Sequence, residues 1–210
     1  MADERMTIGD EVAAFKRQRT LTAATELFYE KGYTNTTLDD VAERLGVTKP
    51  FIYKNFGSKH MLLAEICASG VQAALNEIDA ALALGKAPGE TLSIFVPRYV
   101  EAILTTRKAI AINIREEKNL LPEDAATLSG LRQKFVARVE DLLSRGKDTG
   151  EIKVNDPRIS AFAVVGAVSW LTFWYSPDGP LPPADVTARL SAVVLNLLST
   201  DAVANIEVGA

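Results

Sequence analysis

One cysteine and one histidine are all that 210 residues offer of the two side chains most used to hold metals and make nucleophiles. A lone Cys67 excludes any disulfide within the chain and fits a reducing cytoplasm. It falls in MLLAEICASGVQAAL, a run with helical period, where a small core residue is the reading. His60, seven residues earlier, is too isolated to form a nucleophile–base set with it. Without clustered carboxylates the same two residues make no metal site. A glycine-rich phosphate loop and a nucleophile elbow are also missing. The expectation is therefore a protein that is not an enzyme and uses no cofactor and no metal. The longest apolar run, Ala161 to Tyr175, has fifteen residues, short of the roughly 20 needed to span a bilayer. The N-terminus lacks an apolar signal core. A cytoplasmic location with no membrane partner follows as an expectation. Sustained strand alternation is absent, which leaves an all-α fold.

What is present is an uneven distribution of charge. The net charge is −4, yet residues 12–64 hold eight Lys/Arg against five Asp/Glu, a local +3. Residues 65–210 hold fourteen against eighteen, a local −4. A mildly basic end on an acidic body suits a protein that meets phosphate at one end only. Its non-specific affinity should be modest and salt-sensitive. With 48% hydrophobic residues the chain has enough apolar material for a core.

The helical period begins near Val12, after a polar, acidic arm over residues 1–11. Leu21, Ala24, Leu27 and Phe28 share a face, and Gly32 closes the helix in a left-handed cap. Thr36 or Thr37 caps a second helix, with Asp39 and Asp40 at its positive end. Gly46 ends it. Thr48 caps a third helix, which carries Pro50 in its first turn and Ile52 and Phe56 facing inward. Gly57 breaks, Ser58 caps, and a long helix runs from Lys59 to about Leu84. Beyond it the pattern predicts helices over Glu90–Thr105 with a kink at Pro97 and over Ala109 to about Asn119. Others run from Leu121 to about Gly146, from Pro157 through Tyr175, and from Ala184 to about Thr200. The total is about nine.

The segment TTLDDVAERLGVTKPFIYKNFGSK (Thr36–Lys59) thus reads as a short helix, a glycine turn, and a second short helix rich in hydroxyl, basic and aromatic groups. That is how a chain builds a probe for the DNA major groove. Extended through Leu63, the motif resembles the DNA-binding head of the tetracycline-repressor (TetR/AcrR) family, over about residues 14–66. The resemblance implies an N-terminal tri-helical helix-turn-helix head (12–66, motif about 37–56). A helical effector-binding and dimerisation body (67–205) follows it. It also implies a transcriptional regulator, by family norm a repressor, that binds a palindromic operator in double-stranded DNA as a homodimer and is released by a small hydrophobic effector. The second reading is a helical ligand-binding or interaction protein without operator-specific DNA binding.

Family and geometry together place Thr48, Lys49, Pro50, Phe51, Tyr53, Lys54 and Asn55 near DNA. Thr48 and Tyr53 suit phosphate oxygens, Lys49 a phosphate or a guanine edge, and Pro50 a thymine methyl. Thr37 and Lys59 stand at helix starts, where phosphate is favoured. Arg44 and His60 complete the set as phosphate contacts. Each has a plainer alternative: Thr37 and Thr48 as caps, Lys54 as a solvated charge, Phe51 packed on a neighbouring helix.

In the body, Val186, Leu190, Val193, Val194 and Leu197 recur at three- and four-residue spacing. The preceding helix offers the small residues Ala163, Gly166 and Ala167, beside Trp170. Pairing these helices across a two-fold axis gives a four-helix dimer interface, which the resemblance also implies. The alternative is that both stripes pack within one subunit. Phe95, Tyr99, Ile103, Phe135, Phe162, Trp170 and Phe173 are candidates to line an effector cavity, with Arg115 as an anchor for an acidic ligand. Ordinary core packing is the competing role for most of them. The ending VSWLTFWYSPDGPLPPADV resembles a subset of the family that responds to acyl-CoA thioesters.

Overall fold

The computed structural model describes residues 8–198, and among these it holds nine α-helices, one 3-10 turn and no strand. The helices are α1 (Ile8–Lys31), α2 (Leu38–Leu45), α3 (Lys49–Phe56), α4 (Lys59–Ala83) and α5 (Pro88–Glu116). After the 3-10 turn Glu117–Asn119 come α6 (Pro122–Asp148), α7 (Pro157–Ser169), α8 (Leu171–Trp174) and α9 (Pro183–Leu197). The all-α expectation holds. The last residues assigned to the final helix, 199 and 200, lie outside the described residues, as does most of the expected N-terminal arm.

Contacts divide the chain into two compact units. One contains the residues up to Ser69 together with Lys108–Leu128, and the other contains Gly70–Arg107 and the chain from Ser129 onward.

In the first unit α1, α2 and α3 enclose a small core of Ala24, Leu27, Phe28, Leu38, Val41, Ala42, Ile52 and Phe56, all buried. The turns between them are fixed by local chemistry. Thr36 turns inward and is fully buried; its hydroxyl donates to the carbonyls of Gly32 (2.9 Å) and Leu27 (3.3 Å) at the end of α1. Thr37 is therefore the residue that caps α2. Gly46 takes up φ +66°, the left-handed conformation that a Cβ disfavours. There its N–H reaches the Glu43 carbonyl (3.1 Å) and the N–H of Val47 reaches that of Ala42 (3.0 Å), which closes α2 before α3 begins.

The second unit packs Leu75, Ile78, Phe95, Tyr99, Ile103, Phe135, Val139, Leu142, Val164, Val168 and Val194 in its interior. Two expectations change here. The helices predicted over Glu90–Thr105 and Ala109–Asn119 are one helix, α5, which passes through Pro97 and residues 106–108 without a break. The Thr105 and Thr106 hydroxyls bond back to the carbonyls of Glu101 (2.8 Å) and Ala102 (2.7 Å), and no glycine or proline interrupts the turn. Their polarity resembled a loop but is absorbed by the helix itself. The predicted helix 157–175 is instead two. At Trp170 the chain tightens, with the Phe173 N–H on the Trp170 carbonyl at 3.0 Å.

Candidate nucleic-acid interface

The third helix presents a divided surface. Ile52 and Phe56, one turn apart, are buried and hold α3 to the head, as their spacing predicts. Directly opposite on the helical wheel stand Pro50 and Lys54, both exposed. Tyr53, 52% exposed, flanks them on one side. Phe51, half-buried, flanks them on the other, with the Lys16 ammonium of α1 5.8 Å from its ring centre. The Asn55 amide donates to the Phe51 carbonyl (2.7 Å), so its polar end is engaged with the backbone of α3. Thr48 occupies the N-cap position of α3, but its hydroxyl makes no capping bond. It is exposed and remains available as a donor, where the sequence also allowed a capping role.

Cations near this surface are held differently. Lys49 pairs with Asp39 of α2, and that hydrogen bond, with the attendant charge attraction, raises its pKa. The carboxylate orients the ammonium beside α3 and competes with any phosphate for it. Arg44 forms an exposed ion pair with Glu30 at 3.2 Å. Lys54 projects outward on the side opposite the core.

Two expected phosphate contacts are drawn into the head's own architecture. The Thr37 hydroxyl accepts from the Asp40 N–H (3.1 Å) and donates to the Asp40 carboxylate (2.6 Å), which in turn accepts from the Thr37 N–H (2.6 Å). This closed capping box lowers the Asp40 pKa, chiefly through the Thr37 hydroxyl. The hydroxyl is thus taken. Lys59 is half-buried, and its ammonium donates to the carbonyls of Tyr33 and Thr36, each at 2.9 Å, while lying 4.3 Å over the Tyr33 ring. It ties the start of α4 to the turn between α1 and α2 instead of projecting outward. Sequence reasoning missed this because a lysine at a helix start looks the same whether it serves solvent or a carbonyl pair. His60 is exposed, with Nδ1 3.1 Å from the Tyr33 hydroxyl, whose pKa burial pushes up.

Lys59→Met removes two charge-assisted hydrogen bonds while keeping the stem, so it is expected to destabilise the fold by about 1–3 kcal/mol. The slope of log affinity for DNA against log salt should stay at the wild-type value. A slope lowered by Lys59→Met would return this residue to the phosphate-contacting set.

The expected effector lining separates into two groups. Phe95 and Tyr99 stack with ring centres 5.4 Å apart and planes 7° from parallel, and Phe135 lies 5.0 Å from Tyr99. Ile103 continues the same face of α5. All four are buried in the second unit. Burial drives the Tyr99 pKa far up, and its hydroxyl lies 3.1 Å from that of Ser169. By contrast Phe162, Trp170 and Phe173 point outward and are more than half exposed. Arg115 belongs to the first unit, exposed, with its guanidinium 5.1 Å over Tyr29. These four do not join the buried aromatic group.

The two C-terminal stripes also divide. Val186 and Val194 are buried in the chain's own core, and Leu190 is half-buried. Ala163, Gly166, Val193 and Leu197 are exposed, Ala167 is half-buried, and Trp170 is 60% exposed. α7 packs on both α8 and α9, and Phe162, Trp170, Phe173, Val193 and Leu197 are exposed apolar side chains of these three helices and the turn at Trp170. Period alone cannot distinguish an inner from an outer stripe on a helix that is apolar on both sides.

A tri-helical head with an exposed, polar and basic third helix, on a chain that continues into a helical body, defines a helix-turn-helix DNA-binding regulator. The chain belongs to the TetR family. Residues 21–66 match the family described as bacterial regulatory proteins, tetR family, and residues 85–198 match the tetracyclin repressor-like C-terminal domain. Among similar proteins, the transcriptional repressor KstR2 of Rhodococcus jostii is 27% identical over 187 residues, covering 88% of this chain and 92% of that one. A TetR/AcrR-family regulator from Thermobifida fusca is 34% identical with a TM-score of 0.70, covering 86% of this chain and 97% of that one. The regulator AibR, solved in complex with isovaleryl coenzyme A and operator DNA, is 25% identical with a TM-score of 0.69, covering 86% and 96%. The family is one of transcriptional regulators, and the similar proteins named here are regulators as well. Among the described residues no helix is long and apolar enough to cross a membrane.

Proposed function

We propose that this protein is a repressor that binds a palindromic operator as a homodimer and answers to a small hydrophobic effector, an acyl-CoA thioester being the leading candidate. In this reading residues 12–66 bind DNA, and residues 67–205 bind the effector and pair two copies. The observation that carries it is the α3 surface, where Thr48, Pro50, Tyr53 and Lys54 stand exposed opposite a buried Ile52–Phe56 anchor. One such helix touches only a few base pairs, so specificity requires two, and a two-fold dimer reads an inverted repeat. The outward apolar side chains of α7–α9 support that pairing.

The body supports an effector through its buried aromatic group. Three oxygens toward the C-terminal end, Thr172 Oγ1 of α8, Tyr175 Oη just after it and Ser191 Oγ of α9, are buried without a hydrogen-bond partner among the described residues. Buried polar atoms of this kind call for water or a ligand. The thioester reading draws on AibR, the similar regulator solved with isovaleryl coenzyme A. Calorimetry with isovaleryl-CoA and longer acyl-CoA thioesters, with and without operator, tests the coupling. Release requires weaker thioester binding on the operator-bound dimer than on the free one. Equal affinity in both states for every thioester would remove the effector part of this reading.

A further inference from the structure

We infer that Lys16 of α1 forms a second DNA contact beside the recognition helix, on a backbone phosphate flanking the groove that α3 enters. The inference rests on the proposed DNA-binding role of α3 and extends its footprint to a helix outside the helix-turn-helix motif.

The first turns of α1, from Gly9 through Arg19, are exposed along their whole length. Three cations stand close together there and have different surroundings. Arg17 is turned to the head: its guanidinium makes two hydrogen bonds to the Glu65 carboxylate, one of 2.9 Å, and lies 5.0 Å from the Phe56 ring centre. It clamps α1 to α3 and α4. Arg19 lies 5.9 Å from the ring of Phe15, its own helical neighbour one turn back. Arg17 meets the core side of α3 at Phe56, whereas Lys16 lies beside its outer flank, 5.8 Å from the ring centre of Phe51.

The position of Phe51 is what gives this contact a direction. On α3 the core side is set by Ile52 and Phe56, and Pro50 and Lys54 lie opposite. Phe51 occupies the flank away from Tyr53. Lys49, which shares the Tyr53 flank, is held by Asp39 of α2. Thus the exposed surface of α3 has a cation on each border: Lys49 on the α2 side and Lys16 on the α1 side. A helix in the major groove has a phosphate strand along each border, and lysine supplies a compact, mobile charge for such an oxygen. The half-buried Phe51 ring, 5.8 Å from the Lys16 ammonium, places that charge at the edge of the surface.

The test uses the full-length protein and a duplex enriched from random DNA by the wild type. Affinity is measured from about 50 to 200 mM salt for wild type, Lys16→Ala, Lys16→Arg and Arg17→Ala. One phosphate per head, two per dimer, makes the Lys16→Ala slope of log affinity on log salt shallower by about 1.8. Over that fourfold range wild type should lose about twelve-fold more affinity than the variant. Lys16→Arg should keep the wild-type slope, and no base position of the enriched sequence should change preference. A thermal melt equal to wild type is expected for Lys16→Ala, whereas Arg17→Ala should melt lower. Parallel salt lines for wild type and Lys16→Ala would overturn this inference while leaving the role of α3 intact. Failure of the wild type to enrich any sequence would overturn both.

Discussion

Trp170→Asp combined with Leu197→Asp is expected to turn the dimer into a folded monomer and to weaken operator binding by at least about 100-fold. Trp170 is 60% and Leu197 62% exposed on the single chain, and Phe173, its ring centre 4.4 Å from that of Trp170, is 57% exposed. In the proposed dimer these exposed apolar side chains lie at the contact between the two copies. A carboxylate placed there is harmless to the isolated subunit, because the side chain it replaces already faces water. Between two copies it becomes a buried charge without a partner, repeated by symmetry, at a cost of several kcal/mol each. Sedimentation should report the mass of one chain, and far-ultraviolet dichroism should be unchanged. A variant that still sediments as a dimer would place the interface elsewhere.

The second large effect concerns α3. Replacing Lys49, Tyr53 and Lys54 together by alanine should reduce operator affinity by at least about 1,000-fold, since contacts of this type contribute about 1–3 kcal/mol each and the dimer makes them twice. Folding should be nearly untouched, because all three side chains are exposed and none belongs to the core. Ile52→Ala gives the opposite signature. It empties a fully buried position and should cost about 2–5 kcal/mol of stability, with DNA binding lost only through unfolding. Comparing the two variants separates the reading surface from its anchor. Operator affinity retained by the triple variant would remove α3 from the site.

Much of the head was legible in the sequence because its signals are local. Gly32, Gly46 and Gly57 all take up positive φ where helices end, and Ile52 and Phe56 face inward as their four-residue spacing requires. What could not be read was the destination of polar groups that bond across sequence distance. Lys59 bonds to carbonyls more than twenty residues back, and Thr37 is closed into its own cap. In the body the difficulty was a surplus of apolar residues. Val186 and Val193 both fit a helical stripe, yet one is buried and the other is exposed. Phe162, Trp170 and Phe173 are aromatic and fitted a cavity wall as well as they fit an outer surface. Lys16 escaped notice because its contact, Phe51, lies thirty-five residues away.

Two copies of the chain are expected to lay α3 into successive major grooves. Enriching a randomised duplex with the wild-type protein and sequencing the survivors tests this most directly. The expected product is an inverted repeat whose half-site centres lie about one helical turn apart, roughly 10 base pairs, or a multiple of that spacing. Survivors carrying one unpaired half-site, or no common sequence at all, would contradict it.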